Sequence, residues 1–129
     1  MAERQEIDAR TIFRAAGGAK TFEHIVERFY QGVAGDPVLR PLYPEDLEES
    51  RRRLGLFLMQ YFGGPSTYSQ ERGHPRLRMR HLPFAIGQAE RDAWMRHMRA
   101  AVEAADVPDP VRAALLAYFE GASTFLMNR

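Results

Sequence analysis

His81 ends the run Arg72-Gly-His-Pro-Arg-Leu-Arg-Met-Arg-His81, stands directly before Leu82-Pro83-Phe84, and has Leu77 one helical turn behind it. Pro75 can open a helix, because a first-turn residue needs no backbone N–H, and Pro83 stops the same helix from continuing. The spacing predicts a segment of about two turns whose last inward-facing group is an imidazole. An imidazole held there can ligate a metal. The competing reading is the ordinary one for a lone histidine on an inner helical face, a hydrogen-bonded core residue. The remaining histidines are weaker candidates. His24 lies beside an apolar stripe, His74 falls in a loop where it could meet an anionic group, and His97 follows Trp94 by less than a turn and is expected to be partly buried. No H-x-x-x-H or H-E-x-x-H spacing occurs, which excludes a zincin-type site.

Tyr30, Tyr43 and Trp94 sit on separate inward faces, and each carries one polar atom that needs a partner when buried. They are either core aromatics bonded to backbone carbonyls or donors converging on a small ligand. Arg72, Arg76, Arg78 and Arg80, with His74, form a basic stretch in which Glu71 is the one acid. Such a run is ordinarily a solvated face or a nucleic-acid patch. The aromatic interleaving of a single-strand binder is missing, and a cluster this local suits carboxylates or phosphates on one bound ligand.

The elements that must position these groups are all helical; no stretch alternates as a strand does. Residues 1–10 read as a solvated extension and 11–129 as one domain. A short helical turn spans Thr11 to Ala16, and Gly17-Gly18 breaks it. Thr21 is placed to cap a helix with Phe22, Ile25, Val26, Phe29, Tyr30 and Val33 on one face, ended by Gly35. A turn from Val38 to Tyr43 follows. The next helix opens on Glu45, Asp46, Glu48 and Glu49, has Leu47, Ser50, Leu54, Phe57, Leu58 and Tyr61 inward, and stops at Gly63-Gly64-Pro65. Pro65 to Gly73 reads as a polar loop. Residues 88–105 form a helix with Trp94, Met98, Ala101, Val102 and Ala105 on one side. Asp109-Pro110 starts the last helix, with Val111, Leu115, Tyr118, Phe119, Ala122 and Phe125 inward. The sum is an all-α packing of roughly five helices.

Composition narrows the chemistry. The chain has 129 residues, 45% of them apolar, a net charge of +1 and no cysteine. A near-neutral balance supplies no global pull toward nucleic acid or membrane. Without cysteine any metal must use histidine or carboxylate ligands. The charged N-terminal residues lack the apolar stretch of a signal peptide, and Leu54 to Met59, the longest uncharged apolar run, is far too short to span a bilayer. A cytoplasmic protein is expected.

Five stretches, in order and spacing, resemble group II truncated haemoglobins: Gly17 to Phe22, Val38 to Asp46, Gly63 to Tyr68, Gly73 to Phe84 and Glu90 to Met95. The resemblance covers about residues 12 to 105, and the last helix follows by pattern. It implies a two-over-two helical sandwich, a shortened globin fold holding haem b, with His81 as the proximal iron ligand. It implies a distal pocket of Tyr30, Tyr43, Ser50, Leu54 and Trp94. Leu58 would lie against the porphyrin with Phe57 nearby, and Leu77 and Phe84 would flank the proximal histidine. Arg53, Tyr68, His74 and Arg80 match positions near the haem propionates. Three departures stand out. The acidic turn Pro44-Glu-Asp-Leu47 is one residue shorter than the commoner form, Ser50 replaces a usual alanine, and Phe62 replaces a frequent tryptophan.

The resemblance further implies that the partners are O₂ and other diatomic ligands, and that the pocket's donors stabilise the negative charge on bound O₂. Slow O₂ release would then suit peroxide or NO redox chemistry, served by a reductase, better than transport. Two other classes stand against this reading: a non-haem helical interaction module, and a nucleic-acid binder, which the charge balance disfavours.

Overall fold

The computed structural model describes residues 8–129. Residues 1–7 of the expected extension lie outside the described residues, and Ala9 and Arg10 already belong to helix α1 (Ala9–Ala16). The Asp8 carboxylate caps this helix by accepting from the Arg10 backbone N–H at 2.9 Å. Gly17, at φ 109°, ends it in the left-handed conformation that glycine adopts without strain. Gly18 precedes α2 (Ala19–Ala34), so Thr21 does not cap that helix; its hydroxyl donates instead to the Ala16 carbonyl at 2.8 Å.

Helix α2 buries Phe22, Ile25, Val26, Phe29, Tyr30 and Val33, the stripe its helical period predicts. The chain then makes a 3₁₀ turn, Arg40–Leu42, and enters α3 (Glu48–Tyr61). The acidic run begins earlier than the helix, because Asp46 accepts from the Glu48 N–H at 2.9 Å and marks the start. Where a polar loop was expected, residues 67–72 form α4 (Thr67–Arg72). Six residues are too few to display a period. Long-range polar bonds hold them: Gln60 clasps both the N–H and the hydroxyl of Ser69, and Arg52 pairs twice with Glu71 at 2.7 Å.

Helix α5 (Leu77–His81) starts two residues after Pro75, since Arg76 takes a left-handed conformation at φ 46°. Helices α6 (Gln88–Ala104) and α7 (Asp109–Phe125) complete the chain. Seven α-helices stand among the described residues, against roughly five from the pattern. The surplus lies in the short elements. No described helix is long and apolar enough to cross a membrane.

α2 packs beside α3 and α6 beside α7, with α2 lying on α6, so two helical pairs stack face to face. Phe22, Phe29, Phe62, Met98, Leu115 and Phe119 are fully enclosed within the core. At its edge, Phe13 donates its N–H to the Phe62 carbonyl at 2.8 Å. Gly63 makes that approach possible: at φ 96°, a Cβ there would lie 1.6 Å from the Arg10 carbonyl oxygen. Two residues expected inward are not. Tyr61 and Phe125 are 44% and 55% exposed, since both sit in the last turn of their helices. Tyr61 stacks one face on Tyr118, and Arg78 lies over the Phe125 ring at 5.3 Å.

Candidate functional site

Between the two layers and α5 lies a cavity of about 520 Å³, within the range of small-molecule and cofactor sites. Of the residues singled out from the sequence, Tyr30, Tyr43, Ser50, Arg53, Leu54, Phe57, Leu58, Tyr68, Leu77, Arg80, His81, Phe84 and Trp94 all line it. His74 does not. It is exposed, and its Nδ1 accepts the Arg76 backbone N–H at 3.1 Å.

His81 owes its orientation to the helical turn behind it. Its Nδ1 is 2.6 Å from the Leu77 carbonyl oxygen, an acceptor only, so Nδ1 carries the hydrogen. In the neutral ring the lone pair is then on Nε2, and the side chain forms a half-buried part of the cavity wall. Among the described residues no three His, Asp or Glu side chains gather to hold a metal ion. A single imidazole suits a metal already chelated by another group.

Tyr43 and Trp94 approach from the other elements. Trp94 on α6 is braced by Phe29 and Phe119, with ring centroids at 5.1 and 5.8 Å. Tyr30 on α2 meets Tyr43 edge to face at 5.6 Å. Burial pushes the Tyr43 phenol up to about 12, while the neighbouring polar groups of Trp94 and Tyr30 pull the other way. Burial also raises Tyr30, with the neighbouring Tyr43 acting in the same direction. Tyr43 and Trp94 both line the cavity, one with an O–H and the other with an N–H to offer an acceptor. Arg40 secures the backbone beneath it, donating to the carbonyls of Tyr43, Pro44 and Glu45 at 3.3, 2.8 and 2.6 Å.

The fit of haem to these residues rests on unsatisfied donors. The Nε atoms of Arg72, Arg80 and Arg91 are buried without a hydrogen-bond partner among the described residues, and all three side chains line the cavity. A buried guanidinium N–H lacking an acceptor is unfavourable by about 1–3 kcal/mol, so the arrangement fits a ligand bringing carboxylates. Haem does so, and Leu54, Phe57, Leu58 and Leu77 offer the apolar walls its ring needs. Arg53 faces the cavity but also pairs with Glu49 at 3.1 Å. Tyr68 is buried and meets Phe57 edge to face at 5.6 Å. Sequence reasoning left Arg72 and Arg91 out of the site. Arg72 belonged to the basic run, but Arg91 gave no signal, since its neighbours Glu90 and Asp92 suggest a solvated face. Ser50, on the first turn of α3, lines the cavity.

The bacterial-like globin family profile matches residues 11–127. Group 2 truncated hemoglobin YjbI of Bacillus subtilis (strain 168) is 38% identical over 112 residues, covering 87% of this chain and 85% of its own. The crystal structure of hemoglobin from Chloroflexus aurantiacus superposes with a TM-score of 0.90 at 56% identity, covering 92% of this chain and 98% of that one. A truncated oxygen-avid haemoglobin from Bacillus subtilis superposes with a TM-score of 0.86 at 38% identity, covering 91% and 98%. The stacked helical pairs are therefore the two-on-two globin fold, and the chain belongs to the bacterial-like globins as a group II truncated haemoglobin that binds haem.

Proposed function

We propose that His81 is the proximal iron ligand and that the protein retains O₂ or peroxide for redox chemistry instead of carrying oxygen. The observation that carries this reading is the His81 imidazole, its Nδ1 tied to Leu77, on the wall of a cavity also lined by Arg72 and Arg80, each with an orphaned buried Nε. When bound, haem supplies an iron position for O₂ and other diatomic ligands together with one-electron chemistry.

The chain's residues do the rest. The Leu77 carbonyl, accepting from His81 Nδ1, orients the imidazole and raises its basicity. Arg72 and Arg80 hold propionates, with Arg53 and Tyr68 nearby. Tyr43 donates its hydrogen to a ligand bearing negative charge, and the Trp94 indole N–H, which can only donate, supplies a second bond. Each hydrogen bond to a charged partner contributes about 1.5–3 kcal/mol. Two such bonds slow release by roughly a hundredfold to ten-thousandfold. A donor cluster of that strength makes a poor transporter.

Peroxide reduction and NO oxidation are the reactions this site suits, and both require an external electron donor such as a reductase. A cytoplasmic location and the absence of a nucleic-acid partner accord with a cysteine-free chain of net charge +1. The test is the visible spectrum of protein expressed with haem supplied. His81→Gly should lose the five-coordinate ferrous spectrum and regain it with added imidazole; an unaltered spectrum would overturn the assignment. Turnover with peroxide or NO then separates an enzyme from a ligand store.

A further inference from the structure

Helix α5, which carries His81, buries none of its five residues. It is entered through Arg76 in a left-handed conformation that a residue with a Cβ adopts only at an energetic cost. Of the helix's residues, Leu77 packs partly against the core, and a polar fastening adds to that hold.

Asn128, just beyond α7, spends its whole side chain on the segment after His81. Its Nδ2 donates to the carbonyls of His81 at 3.3 Å and Phe84 at 2.8 Å, and its Oδ1 accepts the Ile86 N–H at 2.9 Å. Its backbone N–H and that of Arg129 both donate to the Ile86 carbonyl, at 2.9 and 3.2 Å. Turning the amide over would set Oδ1 against two carbonyls and Nδ2 against an N–H, so the network permits one orientation. The His81 carbonyl accepts a second bond from the Phe84 N–H at 3.0 Å, which closes the turn around the same atom.

We infer that Asn128 is a positioning residue for the proximal histidine. The Leu77 carbonyl sets the ring from the N-terminal side and Asn128 sets the backbone from the C-terminal side, so the direction of Nε2 is defined at both ends. Leu126, two residues before Asn128, lines the same cavity, so a displaced clip would disturb the wall as well as the ligand. This inference rests on the reading of His81 as the iron-facing imidazole.

The test compares Asn128→Ala, Asn128→Asp and Asn128→Gln with the wild type in the full chain, with and without haem. Three quantities are measured: exchange of the Ile86 amide and the His81 Nδ1 hydrogen by NMR, the iron–imidazole stretching band of the ferrous protein, and haem transfer to an acceptor globin. For Asn128→Ala, Ile86 exchange is expected to rise about tenfold, and haem transfer by a similar factor. The stretching band should shift and broaden. Asn128→Asp, nearly the same size, keeps an acceptor for the Ile86 N–H but sets its other oxygen against two carbonyls, so it should protect Ile86 better than alanine while disturbing the stretching band and haem transfer more. Asn128→Gln retains the amide and should restore part of the wild-type signal, and it keeps the question open to measurement if alanine prevents folding. A faster Ile86 exchange with an unmoved His81 hydrogen and an unmoved stretching band would overturn the inference, as would equal effects of aspartate and alanine. Failure of the His81 assignment itself is distinct: the wild type would lack the iron–imidazole band, while the haem-free exchange would still report the clip.

Discussion

The Asp36 carboxylate lies 2.6 Å from His97 Nε2 and so joins the end of α2 to α6, the helix that carries Trp94. The same carboxylate accepts from the N–H groups of Val38 at 2.8 Å and Leu39 at 3.4 Å, at the start of the turn that leads to Tyr43, and from Arg96 at 3.1 Å. Gly32 leaves room for the imidazole, since a Cβ there would fall 2.3 Å from His97 Nδ1. One buried carboxylate therefore connects the supports of Tyr43 and Trp94, the two proposed donors.

Acid should release that connection. The His97 hydrogen bond, with the Val38 and Leu39 N–H groups and Arg96, lowers the Asp36 pKa from 3.8 to about 2. A depressed carboxyl contributes stability that is fully present above its unfolded value and is lost as pH falls through the folded one. The window runs from about pH 4 down to about 2. Asp36→Asn is expected to lower stability at neutral pH and flatten the acid limb, as read from denaturant midpoints between pH 2 and 6. An acid limb as steep as the wild type's would remove Asp36 from this role.

Removing the Tyr43 hydrogen should quicken ligand release. Tyr43→Phe is expected to raise the O₂ off-rate by about 10- to 150-fold, the equivalent of one bond to a charged acceptor. Trp94→Phe, which removes the indole N–H donor, should raise it by at least about tenfold. Stopped-flow displacement measures both. Because burial places the Tyr43 pKa near 12, its hydrogen stays in place and the wild-type off-rate should not change from neutral pH to about 10.

Arg72→Met separates folding from haem retention. The substitution removes a buried donor that has no partner among the described residues, so haem-free stability should hold or rise by about 1 kcal/mol. Haem transfer to an acceptor globin should quicken about tenfold. Slower transfer, or a destabilised haem-free protein, would contradict the carboxylate assignment.

Arg40→Lys tests the support under Tyr43. A lysine cannot reproduce the fork that reaches three successive carbonyls. The O₂ off-rate is expected to rise about three- to tenfold, with a thermal midpoint close to the wild type's. An unchanged rate would mean that the turn holds Tyr43 without Arg40.

Much of the fold was legible in the residues alone. The buried face of α2 follows its period, and the four-residue step from Leu77 to His81 places an imidazole Nδ1 beside a carbonyl. Tyr30, Tyr43, Trp94 and the basic run from Arg72 to Arg80 stood out by type and place, whereas Ser50, Arg53, Leu54 and Tyr68 were named through the family resemblance. The short helices were less visible. α4 has too few residues to show a period, and α5 begins late because Arg76 is left-handed, a conformation no composition signals in an arginine.

Local sequence determined which side chains face inward and which can donate or accept, because those properties reside in a residue and its near neighbours. The tertiary structure decided which of them meet. Tyr43 met Tyr30 edge to face, Arg91 reached the cavity, and Asn128 came to hold a segment more than forty residues earlier in the chain. The physical reason is that a helical period reports the direction of each face and is blind to the face opposite. Pairings between elements arise only when the core closes and every buried polar atom must find a partner.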